Sequence, residues 1–277
     1  MAQSYERQVF LSYNIRHGAG MDGVVNLERT AAVIDGCAPD VVGLQEVDSV
    51  VPRSNRVDQT RRLAERCGMY GTFGRAIPLS GGGYGVAILS KEKPLSVKNT
   101  ALPGKEKRTL LVCEFDDYVY ACTHLDLVEE NRLASVDIIL QEAARWEKPF
   151  IICGDWNDKP DSKLITLLKK SFVFLNKTTG ADSYSYPADR PTSCIDYIAT
   201  MGRSVIRTSS KVVSEPVASD HRPVFVAALV KTAGDGIEAR ETSASGEGET
   251  VYDLMGRRTA AMAPGLYIRG GRKWLKR

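Results

Sequence analysis

Three apolar segments of this chain each run into polar residues at their C-terminal ends, and that recurrence limits the folds open to it. Val9-Phe10-Leu11-Ser12-Tyr13 leads to Asn14, Val41-Val42-Gly43-Leu44 leads to Gln45-Glu46, and Ile151-Ile152-Cys153-Gly154 leads to Asp155-Trp156-Asn157. β-Branched and aromatic content marks all three as strands. A carboxylate inside a buried strand costs several kcal/mol unless it is paired or ligates a metal, so such residues belong at the rim of a sheet. Taken singly, Gly, Asp and Asn after a strand describe an ordinary turn. Three strands ending alike instead suggest sheets whose rims share one polar place.

The rest of the chain fills in those sheets. Asn26 caps a helix through Leu27, Thr30, Ala31, Ile34 and Cys37 that stops before Pro39. Asp58-Gln59 opens a second helix, closed by Gly68. Strands are then expected in series at Tyr70–Gly74, Tyr84–Ser90, Leu95–Leu102, Thr109–Phe115 and Tyr118–Leu125, with turns at Gly81-Gly82-Gly83, Pro103-Gly104 and Asp116-Asp117. Strands without intervening helices imply antiparallel meanders. Glu129–Trp146 has apolar residues at helical spacing and Asp161–Lys170 reads as a helix; strands at Ser193–Thr200, Ser204–Val213 and Pro223–Val230 follow. The fold class expected is α+β: a four-layer α/β/β/α sandwich, two mostly antiparallel packed sheets flanked by helices.

Residues 231–250 turn to Gly, Ser, Thr, Ala and Glu without apolar periodicity and read as a linker. Residues 251–277 read as a small β appendage with seven basic residues and one acid, Asp253. The net charge of +3 therefore conceals a mildly acidic stretch, 30 basic against 33 acidic residues over 1–250. That balance is a poor match for a nucleic-acid backbone, which favours a basic face. No run approaches the ~20 apolar residues of a membrane span. The six cysteines form no CxxC pair and mostly sit in apolar runs, so buried free thiols are expected. Cys113 and Cys122, on neighbouring strands, are the one pair placed for a bridge.

Polar residues gather at the strand ends: Asn14, Glu46, His124, Asp155, Asn157, Asp196 and Ser219-Asp220-His221. With their neighbours they form, in order, Tyr13-Asn14-Ile15, Leu44-Gln45-Glu46, Tyr84-Gly85, Thr123-His124-Leu125, Gly154-Asp155-Trp156-Asn157, Ile195-Asp196-Tyr197 and Ser219-Asp220-His221-Arg222-Pro223. This series resembles the endonuclease/exonuclease/phosphatase superfamily, whose fold is that of deoxyribonuclease I, and it spans residues 9–226. The resemblance implies a metal-dependent phosphoester hydrolase, with residues 1–230 as its catalytic domain. It implies Glu46 as main ligand to Mg²⁺ (Mn²⁺ as the alternative ion), with Asn14 and Asp220 alongside; hard oxygen donors suit such an ion. It further implies that Asp155 activates or orients the attacking water, Asn157 positions the phosphate, and His221, held by Asp196, faces the scissile phosphate. His124 is a second phosphate contact or helps protonate the leaving oxygen. Arg53 and Tyr84 are the expected substrate-binding residues, and His17 lines the cleft.

The substrate expected is a small-molecule or head-group phosphoester, taken by a monomer. A nuclease calls for basic, aromatic-interleaved insertions, a sphingomyelinase-like enzyme for an exposed aromatic hairpin, and an inositol phosphatase for lysines near Ser219; none stands out. Nuclease and lipid phosphodiesterase activity remain the alternatives, with a catalytically silent binding module as the non-enzyme reading. The tail, Val251-Tyr252-Asp253-Leu254-Met255-Gly256-Arg257-Arg258 and then Pro264-Gly265-Leu266-Tyr267-Ile268, resembles C-terminal sorting appendages of secreted Bacteroidetes proteins. That implies a secreted or periplasmic home, with Ala2-Gln3-Ser4 as the stub of a cleaved signal. A native N-terminus would instead place the protein in the cytoplasm.

Overall fold

A computed structural model describes residues 4–202 and 204–232 and three short strands at 251–252, 265–269 and 272–276. The chain divides into two compact units, Tyr5–Thr232 and a second formed by residues 1–4 with 233–277. In the larger unit β1 (Tyr5–Asn14), α1 (Leu27–Cys37), β2 (Val41–Ser49), α2 (Gln59–Cys67), β3 (Tyr70–Leu79) and β4 (Gly82–Ser90) come first. Next are β5 (Ser96–Leu102), β6 (Arg108–Glu114), β7 (Val119–His124), α3 (Glu129–Ala143), β8 (Phe150–Asp155), α4 (Lys163–Leu168) and β9 (Phe172–Phe174). β10 (Asp196–Met201), β11 (Val205–Val212) and β12 (Val224–Lys231) complete it. The caps are those expected: Asn26 and Asp58 accept the backbone N–H of Arg29 and Arg61, and Gly68 ends α2 at φ 64°.

The strands form two six-stranded sheets, β11-β12-β1-β2-β4-β3 and β5-β6-β7-β8-β10-β9. Each sheet has four antiparallel pairings and one parallel pairing, β1 with β2 in the first and β7 with β8 in the second. Three buried clusters separate the layers. Phe10, Val86 and Ile88 of one sheet meet Leu111, Tyr120, Ile151 and Ile198 of the other. On the outer faces, α1 and α2 pack Ile34 and Leu63 over Leu11, Val42 and Leu89, and α3 and α4 pack Ile139 and Ile165 over Val112, Ala121 and Ile152. The sandwich closes tightly beside β8. A Cβ on Gly43 would lie 2.1 Å from the Cys153 sulfur, and one on Gly154 only 2.0 Å from the Thr123 carbonyl oxygen.

Some boundaries differ from expectation. β3 continues through Arg75 to Leu79 because it pairs with β4 across a bulge, and Leu79 lies opposite Gly82. The hairpin therefore turns at Ser80-Gly81, and Gly82 and Gly83 belong to the strand. β9 is an additional edge strand, too short to leave a period in the sequence. All six cysteines are free; Cys113 and Cys122 lie opposite Tyr120 and Leu111, not each other. The second unit holds a three-stranded antiparallel sheet, β13 (Val251–Tyr252), β14 (Gly265–Arg269) and β15 (Arg272–Lys276). Residues 233–250 of the expected linker, and 253–264 of the tail motif, lie outside the described residues. Among the described residues no helix is long and apolar enough to cross a membrane.

Candidate active site

The two parallel pairs deliver their C-terminal ends to the same place. Asn14 on β1 lies beside Gln45 on β2, and His124 on β7 beside Asp155 on β8. Antiparallel β10 begins there too, with Asp196 opposite Asp155, and the segment leading into β12 brings Ser219, Asp220 and His221. A β-bulge between Leu44 and Val47 sets Glu46 at φ 58°, off the regular alternation of β2. A non-glycine residue there is strained, and the bulge re-aims its carboxylate toward Asn14.

One oxygen of Asp155 is the hub. Its Oδ2 accepts a hydrogen bond from Asn14 Nδ2 at 3.1 Å, and lies 3.5 Å from His124 Nε2 and 3.6 Å from His221 Nε2. Oδ1 accepts the Asn157 backbone N–H at 2.9 Å. The same Asn14 amide donates to Glu46 Oε1 at 3.1 Å. Asn157, at φ 49°, donates Nδ2 to the Leu125 carbonyl and lies 3.0 Å from His124 Nε2. On the far side, Asp196 Oδ2 accepts His221 Nδ1–H at 2.9 Å. Asp220 is tied in indirectly: Ser219 Oγ donates to the Asn14 carbonyl at 2.7 Å and lies 3.3 Å from Asp220 Oδ1, while Arg16 Nε stands 3.6 Å from Oδ2.

The two histidines are driven apart in protonation. Burial pushes His124 down to about 4, with Asp155 opposing and Arg108 assisting, so it is a neutral imidazole at pH 7. Burial also acts to lower His221, but the carboxylates of Asp196 and Asp155 reverse it and push the group up to about 10, making it an imidazolium. Burial raises Glu46 above the usual carboxylate range, with Asp220 and Asp155 adding to the effect and the Asn14 amide opposing it. Asp155, Asp196 and His221 each bring one ligand atom within 4.8 Å of the others, close enough to share a cation. An imidazolium cannot ligate, however, and His221 already bonds Asp196. The oxygen set around Glu46 and Asn14 is the better-suited seat for a hard ion.

The expected binding residues flank this cluster. Arg53 is locked by a two-pronged bond to buried Asp48, at 2.9 and 2.8 Å, and lies 5.4 Å above the Tyr84 ring. Tyr84 is buried, and burial raises its hydroxyl pKa, with Glu46 adding to the effect. Its wall also holds Arg108 and Thr109 beside His124. Neither Arg53 nor Tyr84 bonds to the hub directly. His17 sits at φ 47° with its carbonyl accepting the Gln59 amide. Trp156 is buried against Phe174 and Tyr197, away from the polar cluster.

Residues 11–221 match the model of the endonuclease/exonuclease/phosphatase family. The chain belongs to that family. The family is generally hydrolytic on phosphoesters. Among solved structures, a Bacteroides vulgatus endonuclease/exonuclease/phosphatase is 21% identical with a TM-score of 0.68, covering 82% of this chain and 100% of that one. Bacteroides thetaiotaomicron mannosyl-6-phosphatase is 17% identical, with a TM-score of 0.64 and coverages of 80% and 99%. The human Nocturnin catalytic domain, solved with a bound sulfate anion, is 20% identical, with a TM-score of 0.61 and coverages of 83% and 97%. At these identities the likeness is one of fold. No curated protein matches the sequence.

Three residues that hold the polar cluster in place carry no signal in the sequence. Ser185 donates to Asp196 Oδ2 at 2.5 Å. Asn176 accepts the Ile198 N–H through its side-chain oxygen and donates to the Asp196 carbonyl. Arg132 on α3 donates to Asp158 and to the carbonyls of Asp126 and Leu127. Each is a common residue in an unremarkable local context, identifiable only once its distant partner is in place.

Proposed function

We propose that this protein is a Mg²⁺-dependent phosphoester hydrolase acting by in-line attack of water, with Mn²⁺ as the alternative ion. The observation that carries the reading is the Asp155 carboxylate oxygen set within 3.6 Å of an imidazolium, a neutral imidazole and the Asn14 amide. Glu46, Asn14 and Asp220 would hold the ion. The donor set fits, because a single neutral amide spans the carboxylates of Glu46 and Asp155, and burial, with the charges of Asp220 and Asp155 adding to it, pushes Glu46 up. When bound, the ion would polarise the phosphoryl oxygens and offset their charge. Asp155 orients the attacking water and accepts its proton, and Asn157 fixes the phosphate. His221, charged and held by Asp196, stabilises the charge that builds on the phosphoryl oxygens. His124, neutral, would be a second contact to the phosphate or the leaving oxygen. Arg53 and Tyr84 receive the rest of the substrate, and residues 1–230 serve as the catalytic domain.

A small-molecule or head-group phosphoester is the favoured substrate. The acidic balance of residues 1–250 and the engagement of Arg53 by Asp48 weigh against duplex DNA. Hydrolysis of bis-p-nitrophenyl phosphate with and without Mg²⁺ tests the enzyme reading. Turnover that needs the ion is expected; no turnover in either case, together with no metal-dependent melting shift, overturns it. A panel of plasmid DNA, single-stranded RNA, sphingomyelin, inositol phosphates and sugar phosphates sorts the substrates, and efficient plasmid nicking at low salt would restore the nuclease reading. The tail's resemblance to secretion appendages supports a role outside the cytoplasm; fractionating the native host with an antibody to the protein tests it.

A further inference from the structure

The charged histidine of the site is held by more than its aspartate. Asp196 is 1% exposed, and of its two carboxylate oxygens only Oδ2 has hydrogen-bond partners; Oδ1 has none. Both bonds that set the carboxylate's orientation therefore fall on one atom: His221 Nδ1–H at 2.9 Å and the Ser185 hydroxyl at 2.5 Å. The second is in the range of a charge-assisted O–H···O⁻ bond. A carboxylate held at one oxygen by two donors is pinned; with the imidazole alone it can turn about its Cβ–Cγ bond and carry the ring with it.

Ser185 is itself fixed. Its backbone N–H donates to the Ser193 carbonyl at 2.9 Å, and its carbonyl accepts Arg222 N–H at 2.8 Å. Arg222 directly follows His221, so the bonds close a ring: His221 imidazole to Asp196, Asp196 to the Ser185 hydroxyl, and Ser185 carbonyl back to the residue after His221. Two further bonds seat the segment, Ala188 N–H to the Asp220 carbonyl at 2.7 Å and Arg222 Nε to the Ala188 carbonyl at 2.7 Å. The neighbouring Tyr186 ring lies 4.7 Å from the imidazole ring of His221. The segment 185–193 thus braces the histidine twice, through the Asp196 side chain at the start of β10 and through the backbone on either side of His221.

We infer that Ser185 is a positioning residue of this site, its hydroxyl fixing the Asp196 carboxylate and, through it, the tautomer and ring orientation of His221. This rests on the hydrolase reading above. Side chains that orient a functional histidine are commonly worth 10–100-fold, so Ser185→Ala should lower kcat roughly tenfold or more on bis-p-nitrophenyl phosphate with Mg²⁺. KM should stay within about twofold, because substrate does not touch Ser185 in this reading. Ser185→Thr, which restores the hydroxyl, should recover most of the loss. Ser185→Cys keeps the volume with only a weak donor and replaces the alanine variant should that one not fold.

A second readout does not depend on turnover. The Nδ1–H proton of His221, shielded from exchange between buried groups, should give a far-downfield proton resonance. It should persist in Ser185→Thr and broaden or vanish in Ser185→Ala. Unchanged kcat and an unchanged resonance in Ser185→Ala would overturn the assignment. A resonance present in a wild type that shows no turnover, and lost in Ser185→Ala, would uphold the positioning and sink the hydrolase reading, so the two failures are distinguishable.

Discussion

Asp155 faces the Asn14 amide and both imidazoles on one oxygen and a main-chain N–H on the other. Asp155→Asn retains the shape but would give the attacking water an amide that cannot accept its proton. Turnover should fall by about 10²–10⁴-fold or more, with the melting temperature little changed; steady-state kinetics and a thermal melt on the same preparation check both halves. His124 makes a prediction about stability. The folded protein holds its imidazole neutral down to about pH 4, whereas the unfolded chain takes up a proton near 6.5. Its contribution is therefore complete above pH 6.5 and is lost as pH falls toward 4, by on the order of 3 kcal/mol. Urea titrations across that window should show the decline, and His124→Gln should flatten it. Much of this was legible from sequence, because a costly polar residue at the end of an apolar run advertises itself. Asn14, Glu46 and Asp155 stand at such ends, and Asp196 drew notice as a carboxylate between Ile195 and Tyr197. Glu46 was legible as a residue but not as a conformation, since nothing in Leu44-Gln45-Glu46-Val47 announces a bulge with positive φ. Ser185 was illegible because a serine among Tyr184, Tyr186 and Pro187 looks like any loop.

At the scale of elements, α3 serves the site as well as the core. Its Arg132 is buried, and its guanidinium ties Asp158, just past Asn157, to the carbonyls of Asp126 and Leu127, just past His124. Two loops carrying three of the polar cluster's residues are thus fastened by one side chain. Arg132→Ala leaves a carboxylate and two carbonyls short of a donor, at a cost of about 2–4 kcal/mol. A lowered melting temperature and a reduced kcat are expected together, and an unchanged melt would refute the fastening. Periodicity placed α3 correctly but said nothing of this duty, since an arginine one turn into a helix reads as solvated charge. The hairpin at Ser80-Gly81 was misplaced for a related reason. Three successive glycines look like the turn itself, yet Gly82 and Gly83 are strand residues at a crowded register: a Cβ on Gly82 would stand 2.3 Å from the Ser49 carbonyl oxygen.

The larger unit, Tyr5–Thr232, is two six-stranded sheets, each with one parallel pair near its middle, facing each other so that both pairs end at the site. The series of strands without helices made the antiparallel character legible, but the parallel pairs were not, because each partner is separated by a helix that the sequence shows only as amphipathic. The pairing of β1 with β12 sets residue 5 opposite residue 231, and it has a consequence for how the protein comes into being. A chain leaving the ribosome must hold its first strand with one edge unsatisfied until the last strand of the unit emerges, a closure of long range and therefore slow. Asn14 ends β1, and Ser219, which bonds the Asn14 carbonyl, leads into β12. Sealing the sheet and assembling the site are then the same event. During refolding from urea, regained turnover should follow the slowest spectroscopic phase. Nascent chains shorter than residue 231 should be inert, so no turnover is expected until the last strand of this unit has emerged.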